Sequence, residues 1–275
     1  MPEFECILRI FVFLFGAVVG SFLNVCIYRL PLEKSVVYPG SACVHCGKHI
    51  PWHDNIPLLS YFFLRGKCRF CKKTISFRYF LVELLTASMF LFLYFYFGRQ
   101  AILLPHLIFI SGLIVATFVD FEHRIIPDEV SLGGIVAGII LSIMIPQLHG
   151  YFPQQQGAPA YLLSAWKSLL GVLVGGGSIY LMGMLGDFLF KKETMGGGDV
   201  KLMGMVGAFL GWKMSLLTFF IAPFFGAIFG IVVKIRTKES LIPYGPFLAL
   251  GALISLLWGD PILQWVLSGY GLYNP

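Results

Sequence analysis

ILLPHLIFISGLIVATFVDFEHRIIPD, residues 102–128, decides how this chain is read. Residues 102–119 contain no Asp, Glu, Lys or Arg. As a helix they would rise roughly 27 Å, close to the ~30 Å hydrocarbon core of a bilayer. The run stops on an acid, Asp120. A carboxylate near hydrocarbon is costly, about 2.5–3.5 kcal/mol on insertion scales at a helix centre, so an acid kept at such an edge is a candidate for chemistry. Asp199, in MGGGDVK (195–201), stands at a second apolar boundary. Two carboxylates brought together can share a proton and so supply one general base and one general acid.

The rest of the chain agrees with a membrane setting. Of 275 residues, 57% are hydrophobic and 12% charged, the composition of a polytopic membrane protein. Residues 7–28 exceed a signal-peptide core and lack a clear small-residue cleavage site, so they read as a retained span. Further spans are expected at about 80–98, 102–119, 130–147, 162–190, 201–212, 214–235 and 245–258. The expected fold is an all-α polytopic membrane protein of about eight transmembrane helices, with a small zinc-ribbon-like loop domain. Its expected segments are a first helix (1–29), a four-cysteine loop domain (30–78) and a transmembrane bundle (79–275).

The net charge of +6 follows topology and is no nucleic-acid signal. From Arg29 to Arg78 inclusive the chain carries nine Lys/Arg against Glu33 and Asp54. Arg124, Lys191, Lys192, Lys201, Lys234, Arg236 and Lys238 fall on the same side in the eight-span arrangement. Arg99, Lys167 and Lys213 fall opposite. The positive-inside rule then puts the large loop and both aspartates at the cytosolic face, with both termini outside. Residues 202–212 would make a helix of only roughly 16 Å, which draws the Gly196-Gly197-Gly198 turn and Asp199 toward the membrane. Irregular backbone at that depth is tolerated where it is buried in protein or lines a wet cavity.

Cys43, Cys46, Cys68 and Cys71 form C-x2-C-x21-C-x2-C. Two close thiol pairs at this separation match a tetrahedral structural Zn2+ site. A metal would supply folding energy to a loop with little core of its own. Two redox pairs, or free cysteines, are the other readings. His45, His49 and His53 read as surface residues, and Cys6 and Cys26 as apolar packing residues.

Asp128, directly after Pro127, reads as a cap of the next helix, and Glu122 as a solvated charge. Asp199 could itself cap the helix that follows the glycines. GGGD lacks the x4-G-K-[ST] continuation of a phosphate loop, which excludes a nucleotide site of that type. Lys201 could anchor the chain by its charge or could act on a nearby carboxylate. Gly133-Gly134 and Gly175-Gly176-Gly177 read as close helix-packing sites. The break at Pro243 to Pro246 is placed to shape the mouth of a cleft. No nucleophile–base motif and no His/Glu metalloprotease motif occurs.

Several motifs occur together in order: GSFLNVCIYRLP (20–31), DNIPLLSYFFLRGKCRFC (54–71), ISFRYFLVE (75–83), VDFEHRIIPD (119–128), GGGDVK (196–201) and IPYGPFLA (242–249). On these the chain closely resembles the type IV prepilin peptidases, bacterial inner-membrane leader peptidases of the GxGD type that are often also N-methyltransferases. GxGD is similar to the motif of presenilin-like intramembrane proteases. The resemblance implies that Asp120 and Asp199 are the catalytic pair. It implies as substrates type IV prepilins and the pseudopilins of type II secretion, cut after glycine at the cytosolic membrane face. It also implies methylation of the new amino terminus with S-adenosylmethionine. Val44, Ala42 and Phe80 depart from the family's usual residues and touch only the cysteine loop and its exit. Gly196, Gly197, Gly198, Glu122 and Asp128 are candidate substrate contacts, the two acids for the basic leader. A methyl-transfer pocket is expected between the cysteine loop and the membrane helices. A non-catalytic zinc-loop assembly component and a proton-coupled transporter are the competing readings.

Overall fold

The computed structural model describes residues 2–191, 195–237 and 243–269. Lys192 and Lys238, expected among the topology-setting charges, lie outside the described residues. The helices are α1 (Pro2–Arg29), α2 (Leu59–Phe63), α3 (Phe77–Phe97), α4 (Leu103–His123), α5 (Asp128–Met144), α6 (Pro153–Gln156), α7 (Pro159–Phe190), α8 (Gly197–Thr237) and α9 (Gly245–Gly269). Among the described residues there is no strand, only the isolated bridges Ala42–His49 and Lys67–Thr74. The chain divides into two compact units, Met1–Val115 and Ala116–Pro275.

Six helices are long and apolar enough to cross a membrane: α1, α3, α4, α7, α8 and α9. The expected number of eight spans is not confirmed by this count. Helix α5, at the expected span 130–147, has 17 residues, or roughly 26 Å, about the rise of the 102–119 run. The expected spans 201–212 and 214–235 correspond to two helices that meet within α8 at the non-helical Gly211 (φ 76°, ψ 172°). The first half of α8 also begins at Gly197, earlier than expected, so Gly197 and Gly198 belong to its first turn. Large apolar side chains such as Leu181, Phe188, Phe220 and Phe224 are exposed on the helix surfaces, as a hydrocarbon environment requires.

In the first unit, α1 packs along α3. Gly16 and Gly20 bring the two backbones together: a Cβ at either would lie 2.8 Å from the Cα of Ala87 or Glu83. Small residues four apart are the usual means of such contact in lipid, where helices associate by packing rather than by water exclusion. Cys26 is buried in this seam, whereas Cys6 is exposed and does not pack as expected. At the N-terminal end of α1, Glu5 accepts the Tyr94 hydroxyl and pairs with Arg99.

In the second unit α8 packs on α7, α9 and α5. Gly171 and Gly207 face each other so closely that a Cβ on either would strike the other's carbonyl oxygen. Gly134 lies against Met205 and Gly175 against the Met203 carbonyl, as the packing reading expects; Gly133 and Gly177 meet nothing and are not packing sites. Thr218 donates to Ser255 and links α8 to α9.

Candidate active site

Three helix ends converge in the second unit. Helix α4 delivers Asp120 in its last turn, 6% exposed. Helix α8 begins Gly197-Gly198-Asp199, and the Asp199 N–H closes the first turn on the Gly196 carbonyl (3.1 Å). Helix α9 begins at Gly245, whose N–H donates to Asp120 Oδ2 at 2.8 Å. A carboxylate in the last turn of a helix opposes that helix's own dipole, while the N-terminus of another offers free N–H donors and a positive end. Asp120 is held by the second effect. Asp199 sits in the first turn of α8, where the dipole favours a carboxylate.

The approach is tight. A Cβ at Gly245 would lie 2.9 Å from Asp120 Oδ2 and 3.3 Å from Ile126 Cδ1; one at Gly198 would lie 3.2 Å from Ile126 Cβ. Ile126, 8% exposed, is the apolar peg against which α8 and α9 both start. The two carboxylates are close enough that the Asp120 charge acts on Asp199. Tyr244 borders Asp199, and its buried hydroxyl has no hydrogen-bond partner among the described residues. Burial, and then the Asp199 charge, push this phenol up to about 12, so it stays protonated at any working pH.

The first unit holds a different constellation. Cys43, Cys46, Cys68 and Cys71 place their sulfurs within 4.8 Å of one another, with Cys43 and Cys71 at 3.9 Å. Four sulfurs ~2.3 Å from a central Zn2+ would be separated by about 3.8 Å, so the cluster fits a tetrahedral ion. Each half is the same turn. Cys43 N–H bonds the Lys48 carbonyl and Gly47 N–H the Cys43 carbonyl; Cys68 N–H bonds the Lys73 carbonyl and Lys72 N–H the Cys68 carbonyl. Gly47 (φ 68°) and Lys72 (φ 59°) occupy the same left-handed position. The N–H groups of Cys71 and then Phe70 draw the Cys68 thiol down to about 6, toward the thiolate a metal needs. Against the Lys73 N–H, burial and hydrogen bonds to the other sulfurs push Cys71 up to about 11, so that Cys68 is the first to ionise. His45, His49 and His53 are exposed, as expected.

Two sequence families match these two regions. The Bacterial Peptidase A24 N-terminal domain matches residues 14–97, and the Type IV leader peptidase family matches residues 107–231. A prepilin leader peptidase/N-methyltransferase of Aeromonas salmonicida (strain A449) is 33% identical over 94% of this chain and 93% of its own length. One from Pseudomonas aeruginosa (strain PAO1) is 35% identical with the same coverage. The chain belongs to the type IV leader peptidase family. A further relative of that name, from Myxococcus xanthus (strain DK1622), is 39% identical over 86% of this chain, which spans 66% of the relative's length. No solved structure matches.

For this family member the structure brings Asp120, Asp199 and Gly198 together. Gly197 is exposed and meets nothing, and Gly196 only approaches the Asp199 carboxylate. Asp128 is not a cap: Pro127 holds the cap position, and the Asp128 carboxylate pairs with Lys201 Nζ at 2.6 Å. Lys201 therefore serves Asp128. Glu122 is half-exposed, with His123 Nε2 4.0 Å away. Residue-level reading missed the Gly245 N–H and Ile126. The Pro-Tyr-Gly-Pro break signalled a cleft mouth without signalling a donor to Asp120.

Proposed function

We propose that this protein cleaves the basic leader from type IV prepilins and pseudopilins, with Asp120 and Asp199 as the acid–base pair. The observation that carries the reading is the convergence of both carboxylates at three helix ends, with Gly245 N–H on Asp120. One carboxylate, ionised, takes a proton from a water as its oxygen attacks the scissile carbonyl. The other, protonated, donates to that carbonyl and leaves a gem-diol. The first carboxyl then passes the water's proton to the leaving nitrogen while the second takes a proton back from a diol hydroxyl, so the C–N bond breaks and the pair's single proton is regenerated. The protonation belongs to the pair and not to one residue.

The many-helix architecture fits a multi-pass inner-membrane enzyme with its substrate helix beside it. In this reading the aspartates and the cysteine loop face the cytosol, where a prepilin's basic leader meets its apolar helix. Glu122 and Asp128 are the acids proposed to meet the leader, Asp128 from within its pair with Lys201. The four cysteines hold Zn2+, which folds the loop. After cleavage the protein methylates the new amino terminus, with S-adenosylmethionine supplying an electrophilic methyl group.

The decisive measurement is prepilin cleavage by purified, correctly folded Asp120→Asn and Asp199→Asn variants in detergent or liposomes. Each is expected to lose at least about 10²–10⁴-fold in rate, the usual contribution of a general acid or base. Wild-type-like cleavage by either one sinks the mechanism.

A further inference from the structure

The first unit contains a cleft of about 770 Å3, lined by α1, α3 and the cysteine loop. That is the size range of small-molecule and cofactor sites. Two acceptors in its wall lack what their chemistry demands. Asn24, 2% exposed, donates through Nδ2 to the Tyr79 carbonyl at 2.9 Å, while its Oδ1 is buried with no partner. Glu83, one helical turn beyond Tyr79, receives the Leu58 N–H at 2.7 Å and the Ser21 hydroxyl. No cation pairs with it among the described residues.

Of the other charges in the wall, Asp54 and Arg29 are already matched, and Lys34 is exposed. Asp54 is gripped by Arg69 through two hydrogen bonds, and Arg29 is spent on the carbonyls of Ser35 and Gly40. A half-buried carboxylate without a cation and a buried amide oxygen without a donor are each costly. Both lie on the α1–α3 seam, where a Cβ at Gly20 would touch Glu83. One ligand group cancels both deficits: a primary ammonium, which carries three N–H donors and a positive charge.

We propose that Asn24 and Glu83 form an ammonium receptor in this cleft. Two sources present that group in a methyl-transferring leader peptidase: the amino terminus freed by cleavage, and the amino-acid end of the methyl donor. The proposal rests on the methyl-transfer reading only for this choice. Aromatic side chains of the same wall, Tyr61 and Phe80, lie with ring centroids 5.5 Å apart and tilted by 34°, and offer an apolar face to the remainder of either ligand.

The test is equilibrium binding to the full-length protein in detergent. One arm compares a short peptide beginning with phenylalanine, with free or acetylated amino terminus. The other compares S-adenosylhomocysteine with its deaminated analogue. In one arm or both, the free amine is expected to bind at least about tenfold more tightly, as a charge-assisted hydrogen bond warrants. That preference should vanish in Glu83→Gln and survive in part in Glu83→Asp, with zinc content and melting temperature showing that both variants fold. The arm that responds names the occupant. Equal binding of amine and blocked forms in the wild type, or an unchanged preference in Glu83→Gln, overturns the receptor. A wild-type protein that prefers the amine yet adds no methyl mass to a cleaved prepilin would sink the methyl-transfer reading and leave the receptor standing.

Discussion

A methyl group at position 245 would sit 2.9 Å from Asp120 Oδ2, closer than a carbon and an oxygen can approach. Gly245→Ala must therefore push the carboxylate or the start of α9 aside. Because misplacing a catalytic group by about 1 Å costs on the order of 10²-fold, prepilin cleavage by this variant should fall by that order while helix content stays unchanged by circular dichroism. Asp54 makes a different prediction. The Arg69 guanidinium that grips it holds its carboxyl below the ordinary carboxylate range. The stability this pair supplies is complete above the ordinary value of about 3.9 and is lost as pH falls past it through Asp54's own lower value. Asp54→Asn should reproduce the acid state at neutral pH, seen as faster amide exchange at residues 52–58. If exchange there is unchanged, the pair does not hold the loop.

Helix crossings carry the next level of constraint. The α7–α8 contact depends on Gly171 and Gly207, whose backbones leave no room for a side chain. Gly207→Leu should destabilise the second unit by at least ~3 kcal/mol, at the upper end of overpacking penalties, and lower its melting temperature in detergent accordingly. A variant that melts like wild type would mean that the helices can separate here without cost. The two spans read from the α8 sequence have a backbone cause. Gly211 breaks α8 at a positive φ that favours glycine, close to where the hydropathy already divides the segment in two. The α4–α5 corner shows the converse. Pro127 was legible as a helix start, yet the role of the acid beside it was not, because Lys201 arrives from 73 residues away.

Across the whole molecule, two units with separate interiors should respond separately to insult. The cysteine cluster lies wholly in the first, and a metal bound there would fold the two short turns around it. Chelation, or Cys68→Ser, should speed amide exchange across residues 41–75 and leave protection in α7 and α8 unchanged. Loss of protection in both units together would show that they unfold as one. Zinc content should also fall in mild acid, since protons compete for the thiolates.

Hydropathy, charge asymmetry, the paired cysteines and the acids at the ends of apolar runs were all readable from the chain, because each is a relation between near neighbours. The membrane class, the metal-type cluster and the two aspartates came from such relations. Contacts between distant helices did not. The Gly245 N–H reaches Asp120 across 125 positions, Lys201 neutralises Asp128, and Asn24 and Glu83 face one cleft. Each of these depends on how far a helix is rotated and slid against its neighbour. That register is set by the summed packing of glycine seams and buried side chains along the entire crossing, so no local pattern encodes it.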